Sequence, residues 1–214
     1  FKEAVWNDLP QKWRELYEKN TLKSLYSHIT DWSWFPLVGF IHDLGKAMLL
    51  PHFGSLQQWA VVGDTYPVAA PFAPSNVFYA NGYYTNCPDY KTYNTSSETS
   101  FGKYPRNCGF DNVDMTWGHD EYIYDVMQQG SIICPEGLYL LRYHSFYPWH
   151  TPQNGVMAYT ELASDFDWLM LPLLKAFQKA DLYSKTPNLP AQDILEAKYH
   201  KLLDLCIPNK QINW

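Results

Sequence analysis

The feature that most constrains this chain is the run His42-Asp43-Leu44-Gly45-Lys46. It places an imidazole and a carboxylate side by side, directly before a glycine and a lysine. Imidazole nitrogens and carboxylate oxygens are the ligands expected for iron, manganese or zinc. A single His-Asp pair arises by chance in many proteins, but ligand-type residues recur in three distinctive segments further on. These segments are residues 118–122, 143–150 and 180–183. A chain that uses them together must bring four separate segments to one place.

The spacing of apolar residues predicts a mainly helical chain. Gly45 is expected to cap the helix that carries His42 and Asp43. Residues 63–112 are rich in turn formers and predict a long loop region, with a short hairpin at Asn81-Gly82 as one option. The fold prediction is all-α, a helical bundle with long loops. The predicted helices cover residues 1–28, 32–44, 113–129, 135–145, 162–184 and 191–206.

Composition argues against several functional classes. The length of 214 residues suggests one domain, or one domain with additional segments. The net charge of −6 and the lack of a lysine or arginine run argue against nucleic acid as a partner. No apolar stretch approaches membrane-spanning length, so no membrane association is expected. The chain is expected to act as a monomer. Because it begins at Phe1 without a methionine, residues upstream are expected to be missing.

The cysteines also bear on the cellular compartment. The chain has no Cys-x-x-Cys pair, and its four cysteines lie in unrelated surroundings. This pattern argues against a disulfide framework or a thiolate zinc site, and it favours the reducing cytoplasm. The residues concerned are Cys87, Cys108, Cys134 and Cys206.

Five ordered motifs resemble the myo-inositol oxygenase family, a branch of the HD-domain superfamily. The motifs are LVGFIHDLGK at 37–46, QWAVVGDTYPV at 58–68, WGHDEY at 117–122, HSFYPWHT at 144–151 and DLYSKTPNLP at 181–190. The resemblance implies a single HD-like catalytic domain over residues 1–214. It also implies an oxygenase that cleaves the ring of myo-inositol with dioxygen to give D-glucuronate.

The same resemblance implies a non-haem centre of two iron ions in the Fe(II)/Fe(III) state. It assigns Asp43 and Asp181 to both irons and His42 to the first iron. It assigns His119 and His144 to the second iron.

Further residues in the motifs are implied to bind the polyol. Lys46 would lower the pKa of an iron-bound hydroxyl through its charge, and this makes it the candidate catalytic residue. Gly63 would allow a close backbone approach, Asp64 would accept hydrogen bonds from two hydroxyls, and Ser145 and Lys185 complete the set. Each also has an ordinary interpretation: Lys46 as a charge at a helix C-terminus, Gly63 and Asp64 as a plain turn, and Lys185 as a solvated lysine.

Other polar residues near the motifs have less distinctive roles. His150 is expected to lie behind the ligands, and His52 and His200 are expected on the surface. Asp120 and Glu121 are interpreted either as acceptors for an imidazole N–H or as solvated charges.

The amino-terminal part of the chain departs from the family pattern. The family has one more histidine ligand on the first iron, in a His-x-x-Gln-[Thr/Ser]-Ala-Glu context upstream of the His-Asp pair. Here the only upstream histidine is His28, which lacks those flanking residues and lies much nearer to His42. Residues 1–34 are therefore either a divergent replacement or an incomplete amino-terminal segment.

Two alternative functions remain open at this point. An HD-type metal-dependent phosphohydrolase would use the same ligands to activate water, although the chain has few basic residues near the motifs for a phosphate-rich substrate. An inactive truncated homologue would bind only a polyol or a partner, and the broken amino-terminal pattern is the one feature that favours it.

Overall fold

Helices dominate the computed structural model, which describes residues 2–18, 32, 34–95, 100–182, 190–207, 209 and 212–214. Within these ranges the β-type pairing is one isolated bridge between Pro67 and Met115, so the prediction of an all-α fold is confirmed. None of the helices in the same ranges is long and apolar enough to cross a membrane. The α-helices are α1 (Lys2–Asp8), α2 (Gln11–Glu18), α3 (Trp34–Ile41), α4 (Gln58–Val61), α5 (His119–Gly130), α6 (Pro135–Tyr143), α7 (Tyr147–His150), α8 (Asp165–Leu182) and α9 (Gln192–Cys206). Shorter turns of 3-10 helix are Leu44–Leu49, Pro51–Phe53, Tyr79–Asn81 and Phe110–Asn112, and Tyr90–Asn94 is a π-helical turn.

The described residues divide into two compact units. The first comprises those within Phe1–Ala47, His119–His144 and Pro172–Trp214, and the second those within Met48–Gly118 and Ser145–Leu171. The division falls inside α8 at Pro172, a residue that cannot donate a backbone hydrogen bond to the helix. The single catalytic domain over residues 1–214 stays a prediction.

The core of the first unit is built around α3. Phe35 and Val38 are fully buried, and the helix packs against α6 and α9. Gly137 on α6 makes this packing close, because a Cβ atom there would lie only 3.1 Å from Trp34 Cε3 and 3.2 Å from Val38 Cγ2. Burial of each large apolar side chain contributes about 1.5–3 kcal/mol. The packed helix therefore fixes the position of His42, the residue that follows its C-terminal end.

The second unit contains the long loop region. Residues 63–95 and 100–112 hold only short 3-10 and π-helical turns. Side chains in this region form hydrogen bonds with backbone groups that no helix or strand pairs. The amide of Asn94 accepts a hydrogen bond from Phe72 N at 2.8 Å and donates one to Phe72 O at 2.9 Å. The carboxylate of Asp89 accepts a hydrogen bond from Ala69 N at 2.9 Å. The prediction of a long loop region is confirmed.

Several helix boundaries agree with the sequence prediction, and two local predictions are wrong. The helices predicted from Pro135, Leu162 and Ala191 are present as α6, α8 and α9, with ends shifted by a few residues where the structure describes them. The helix predicted from Val113 begins only at His119, because residues 114–116 form backbone hydrogen bonds with residues 66–68. In place of the hairpin predicted at residues 81–82 the structure has the 3-10 turn Tyr79–Asn81, which is capped by Gly82 with a φ of 72°.

Candidate metal centre

The five predicted metal ligands lie together at helix ends in the first unit. His42 and Asp43 directly follow α3, His119 is the first residue of α5, His144 directly follows α6, and Asp181 is the penultimate residue of α8. The ligand atoms of His42, Asp43 and His144 all lie within 4.8 Å of one another. A helix end places its side chain at a point set by the packing of the whole helix, so this arrangement is preorganised.

The two carboxylate oxygens of Asp43 face different imidazoles. Oδ1 lies 3.3 Å from His119 Nε2 and 3.7 Å from His144 Nε2, whereas Oδ2 lies 3.8 Å from His42 Nε2. The Nε2 atoms of His119 and His144 are 3.2 Å apart. On the other side, Asp181 Oδ1 lies 3.1 Å from His42 Nε2. Asp43 therefore stands between one histidine and a pair of histidines.

Backbone carbonyls fix the orientation of two of these imidazoles. His42 Nδ1 lies 2.8 Å from the carbonyl oxygen of Gly39, and His144 Nδ1 lies 2.9 Å from that of Leu141. A carbonyl only accepts, so each Nδ1 carries the hydrogen and donates it, and each Nε2 is directed at the carboxylates. Metal-binding histidines are commonly held in this way. When no cation is bound, a proton can occupy His42 Nε2 instead. Burial lowers the pKa of His42, but hydrogen bonding to Asp181 and to Gly39 outweighs burial, so this pKa is raised.

Both carboxylates are ionised at neutral pH. Burial raises the pKa of Asp43, but the contacts with the imidazoles of His119 and His144 and the hydrogen bond from Lys46 outweigh burial and hold this pKa far below its usual range. The hydrogen bond from His42 lowers the pKa of Asp181, and burial opposes this effect. Carboxylates and imidazoles in this number are a donor set that suits iron, manganese or zinc. The residues present therefore fit a metal ion, and neither carboxylate has to lose a proton to bind one.

Gly45 allows the segment after the His-Asp pair to lie directly against α5. A Cβ atom at Gly45 would lie 1.9 Å from the carbonyl oxygen of His119 and 2.7 Å from its carbonyl carbon. The prediction that Gly45 caps α3 is wrong, because α3 ends at Ile41 and Gly45 lies within the 3-10 helix Leu44–Leu49. The glycine is needed for a close backbone approach that connects the two ligand-bearing segments.

The predicted substrate residues are distributed unevenly. Lys46 lies beside the ligands, with Nζ 2.6 Å from Asp43 Oδ2. Ser145 is half-buried and directly follows His144, at the start of a segment of the second unit. Lys185 and the candidate ligand His28 lie outside the described residues.

Gly63 and Asp64 belong to the second unit and have structural partners there. A Cβ atom at Gly63 would lie 2.5 Å from the carbonyl oxygen of Trp59, so the end of α4 requires a glycine at this position. Asp64 Oδ2 accepts a hydrogen bond from Phe78 N at 3.0 Å and another from the hydroxyl of Tyr84. The ordinary interpretation of this pair as a turn therefore accounts for part of what the two residues do.

The remaining histidines separate by burial. His52 and His200 are exposed, as predicted. His150 is 2% exposed, and its Nδ1 lies 2.9 Å from Thr151 Oγ1. Its place behind the ligands stays a prediction.

The interpretation of Asp120 and Glu121 as solvated charges is wrong. Asp120 is 1% exposed and accepts a hydrogen bond from Glu121 N, and Glu121 forms an ion pair with Arg142. Arg142 was not among the predicted site residues. The available signal was an arginine within the apolar run of α6, two residues before His144, which indicates a buried partner.

Comparison with known proteins supports the sequence motifs. The family model described as myo-inositol oxygenase matches residues 9–214. An inositol oxygenase from Danio rerio is 49% identical over 179 residues, which are 83% of this chain and 61% of that protein. One from Dictyostelium discoideum is 39% identical over 97% of this chain and 68% of its own length, and one from Homo sapiens is 46% identical over 83% and 59%. The chain thus spans between 59% and 68% of the length of these curated relatives.

Proposed function

The chain belongs to the myo-inositol oxygenase family, and from this premise we propose that it cleaves the ring of myo-inositol with dioxygen to give D-glucuronate. The proposal includes a non-haem centre of two iron ions in the Fe(II)/Fe(III) state. It is favoured over an HD-type phosphohydrolase because the family match covers the ligand-bearing segments and almost the whole chain.

One observation gives the main structural support for the proposed metal centre. The Nε2 atoms of His42, His119 and His144 are all directed at the same carboxylate group, that of Asp43. Two of these imidazoles have their tautomer fixed by backbone carbonyls, so they present nitrogen lone pairs to anionic oxygens when neutral. A bound cation turns that unfavourable arrangement into a favourable one.

The proposed division of the ligands between two ions is supported by the geometry of Asp43. Asp43 would help to hold both irons, because its Oδ2 faces His42, whereas its Oδ1 faces His119 and His144. Asp181 would also contact both, with His42 on the first iron. Iron held by carboxylates and imidazoles, with positions left open, supplies the chemistry of dioxygen.

Residues of the chain would bind and orient the polyol. A ring of hydroxyl groups offers many hydrogen bonds and little apolar surface, so its site needs charged and polar groups. Lys46 carries a positive charge 2.6 Å from Asp43, where it would lower the pKa of a substrate hydroxyl beside the metal. Gly63, Asp64, Ser145 and Lys185 are proposed as the other substrate contacts.

We also propose that the chain works in the cytoplasm. Its cysteines are all free thiols, and two of them, Cys134 and Cys206, are buried. Free thiols persist in a reducing compartment.

The proposal is tested by oxygen uptake with myo-inositol after loading the 214-residue chain with Fe(II) under partly oxidising conditions, with D-glucuronate assayed as the product. His144→Gln should abolish turnover. His52→Gln is the matched control, because it removes an exposed histidine outside the centre.

The outcomes separate the competing functions. Uptake matched by glucuronate would support the oxygenase and would mean that another group fills the place of the missing upstream histidine. Hydrolysis of phosphate esters with Mn(II) and no oxygen uptake would instead favour the phosphohydrolase. Absence of both activities would favour an inactive homologue.

A further inference from the structure

A buried ion pair connects the two helices that carry His119 and His144. Arg142 on α6 donates from Nε to Glu121 Oε2 and from Nη2 to Glu121 Oε1, both at 2.7 Å. The side chains are 8% and 14% exposed. Two parallel charge-assisted hydrogen bonds fix direction as well as distance.

Further contacts hold the guanidinium in place. Arg142 Nη1 donates to the hydroxyl of Tyr143 at 3.0 Å, and the guanidinium carbon lies 4.6 Å from the centre of the Tyr124 ring. The arginine is therefore fixed from both helices, since Tyr124 lies on α5 and Tyr143 on α6.

The pair lies close to the metal-binding ends of the helices. Helices α5 and α6 are joined by residues 131–134 at one end and approach each other at the other end, where the Nε2 atoms of His119 and His144 are 3.2 Å apart. This arrangement is an antiparallel helical hairpin. Glu121 lies two residues after His119, and Arg142 lies two residues before His144.

We infer that the Glu121–Arg142 pair is a positioning device, which sets the spacing of His119 and His144 and thereby the metal affinity of the position these histidines share. The inference rests on the metal centre proposed above. Apolar side chains of similar volume would hold two helices together equally well, because the cost of removing two charges from water offsets much of the attraction between them. A bidentate pair adds a fixed register between the helices, which a metal site requires and a simple core does not.

The test is a Co(II) titration of the 214-residue chain, followed by visible absorption, with unfolding by urea measured in parallel on the metal-free protein. The binding step that disappears in His144→Gln identifies the shared position. The variants are Arg142→Met, Arg142→Lys and the double variant Glu121→Leu/Arg142→Met, and the matched control is Lys103→Met, which removes one partner of an exposed ion pair.

Positioning predicts a specific pattern. Arg142→Met and Arg142→Lys should weaken Co(II) binding at the shared position by at least about tenfold, because groups that orient metal ligands from outside typically contribute 10–100-fold to metal affinity. Lysine should not rescue, since it keeps the charge but loses the planar fork. The double variant leaves no unpaired buried charge, so it should regain the stability lost in Arg142→Met while keeping the weak binding and an altered Co(II) spectrum. Lys103→Met should change neither property.

Other results would overturn the inference. If the double variant or Arg142→Lys binds Co(II) with the affinity and spectrum of the unsubstituted chain, the pair only stabilises the fold. If His144→Gln removes no Co(II) binding step, the metal centre itself is refuted, and the role of the ion pair with it.

Discussion

The close approach of Gly45 to α5 leads to a quantitative prediction for Gly45→Ala. The added Cβ would lie 1.9 Å from the carbonyl oxygen of His119, whereas Cβ atoms essentially never lie closer than 3.0 Å to another heavy atom. The 3-10 helix and the start of α5 must therefore separate by about 1 Å or more. The neighbouring atom belongs to the backbone, so no side chain can turn away to relieve the contact.

The expected cost is large for a single methyl group. Overpacking of a core typically costs about 1–3 kcal/mol, and a backbone neighbour places Gly45→Ala at about 3 kcal/mol. This is a substantial part of the total free energy of unfolding, which is typically about 5–15 kcal/mol. The separation also moves His119 relative to Asp43, whose Oδ1 now lies 3.3 Å from His119 Nε2, so metal affinity should fall as well.

The assay is unfolding by urea, with a matched glycine control on α5, the helix that Gly45 lies against. Gly130→Ala places its Cβ no closer than 3.4 Å to any other group, at the last residue of α5. We expect this control to be neutral or stabilising by up to about 1 kcal/mol, because alanine favours helix more than glycine does. If Gly45→Ala unfolds at the same urea concentration as the unsubstituted chain and binds metal equally well, the close approach and its role in placing His119 are refuted.

Two further predictions concern single residues away from the ligands. Burial raises the pKa of Glu136 in the folded chain, so its neutral form stabilises the fold fully below the unfolded pKa, and that stabilisation is lost as the pH rises through the folded pKa. We therefore expect Glu136→Gln to become more stable relative to the unsubstituted chain between pH 4.5 and 8. The difference in the free energy of unfolding should rise by about 1.4 kcal/mol for each unit of pKa shift. Urea titrations measure this difference, and a flat or falling difference would contradict the prediction. Ser164 directly precedes α8 and exchanges hydrogen bonds with Asp167. Asp167 Oδ2 accepts from Ser164 N at 2.8 Å and from Ser164 Oγ at 2.7 Å, and Asp167 N donates to Ser164 Oγ at 3.4 Å. Ser164→Ala should lose about 1 kcal/mol and lower the melting temperature by about 2–4 °C, and an unchanged thermal transition would show that the cap contributes nothing.

The residues that lie together at the candidate metal centre were predictable from sequence, because each lies in a distinctive local motif. His42 and Asp43 are adjacent, His144 precedes an aromatic run, and Asp181 ends a long apolar helix. Local patterns also gave the helices α6, α8 and α9 nearly to their ends. These features depend on neighbours in the chain, and such neighbours are visible in a sequence.

The features that the sequence did not reveal depend on contacts between distant segments. The role of Gly45 depends on His119, which lies 74 positions away, and no local pattern distinguishes a close approach from a helix cap. The pairing of residues 114–116 with residues 66–68 replaced a predicted helical turn, because tertiary hydrogen bonds outweighed a helical pattern. The identity of the partner of Arg142 was likewise not predictable. The apolar sequence of α6 around Arg142 indicates only that this arginine has a buried partner.

The most direct test of the metal centre is anomalous diffraction at the iron absorption edge from crystals of the iron-loaded chain. We expect two anomalous peaks: one within ligand distance of His42 and one within ligand distance of His119 and His144, with Asp43 between them. Peaks bound by other residues, or none at these side chains, would contradict it.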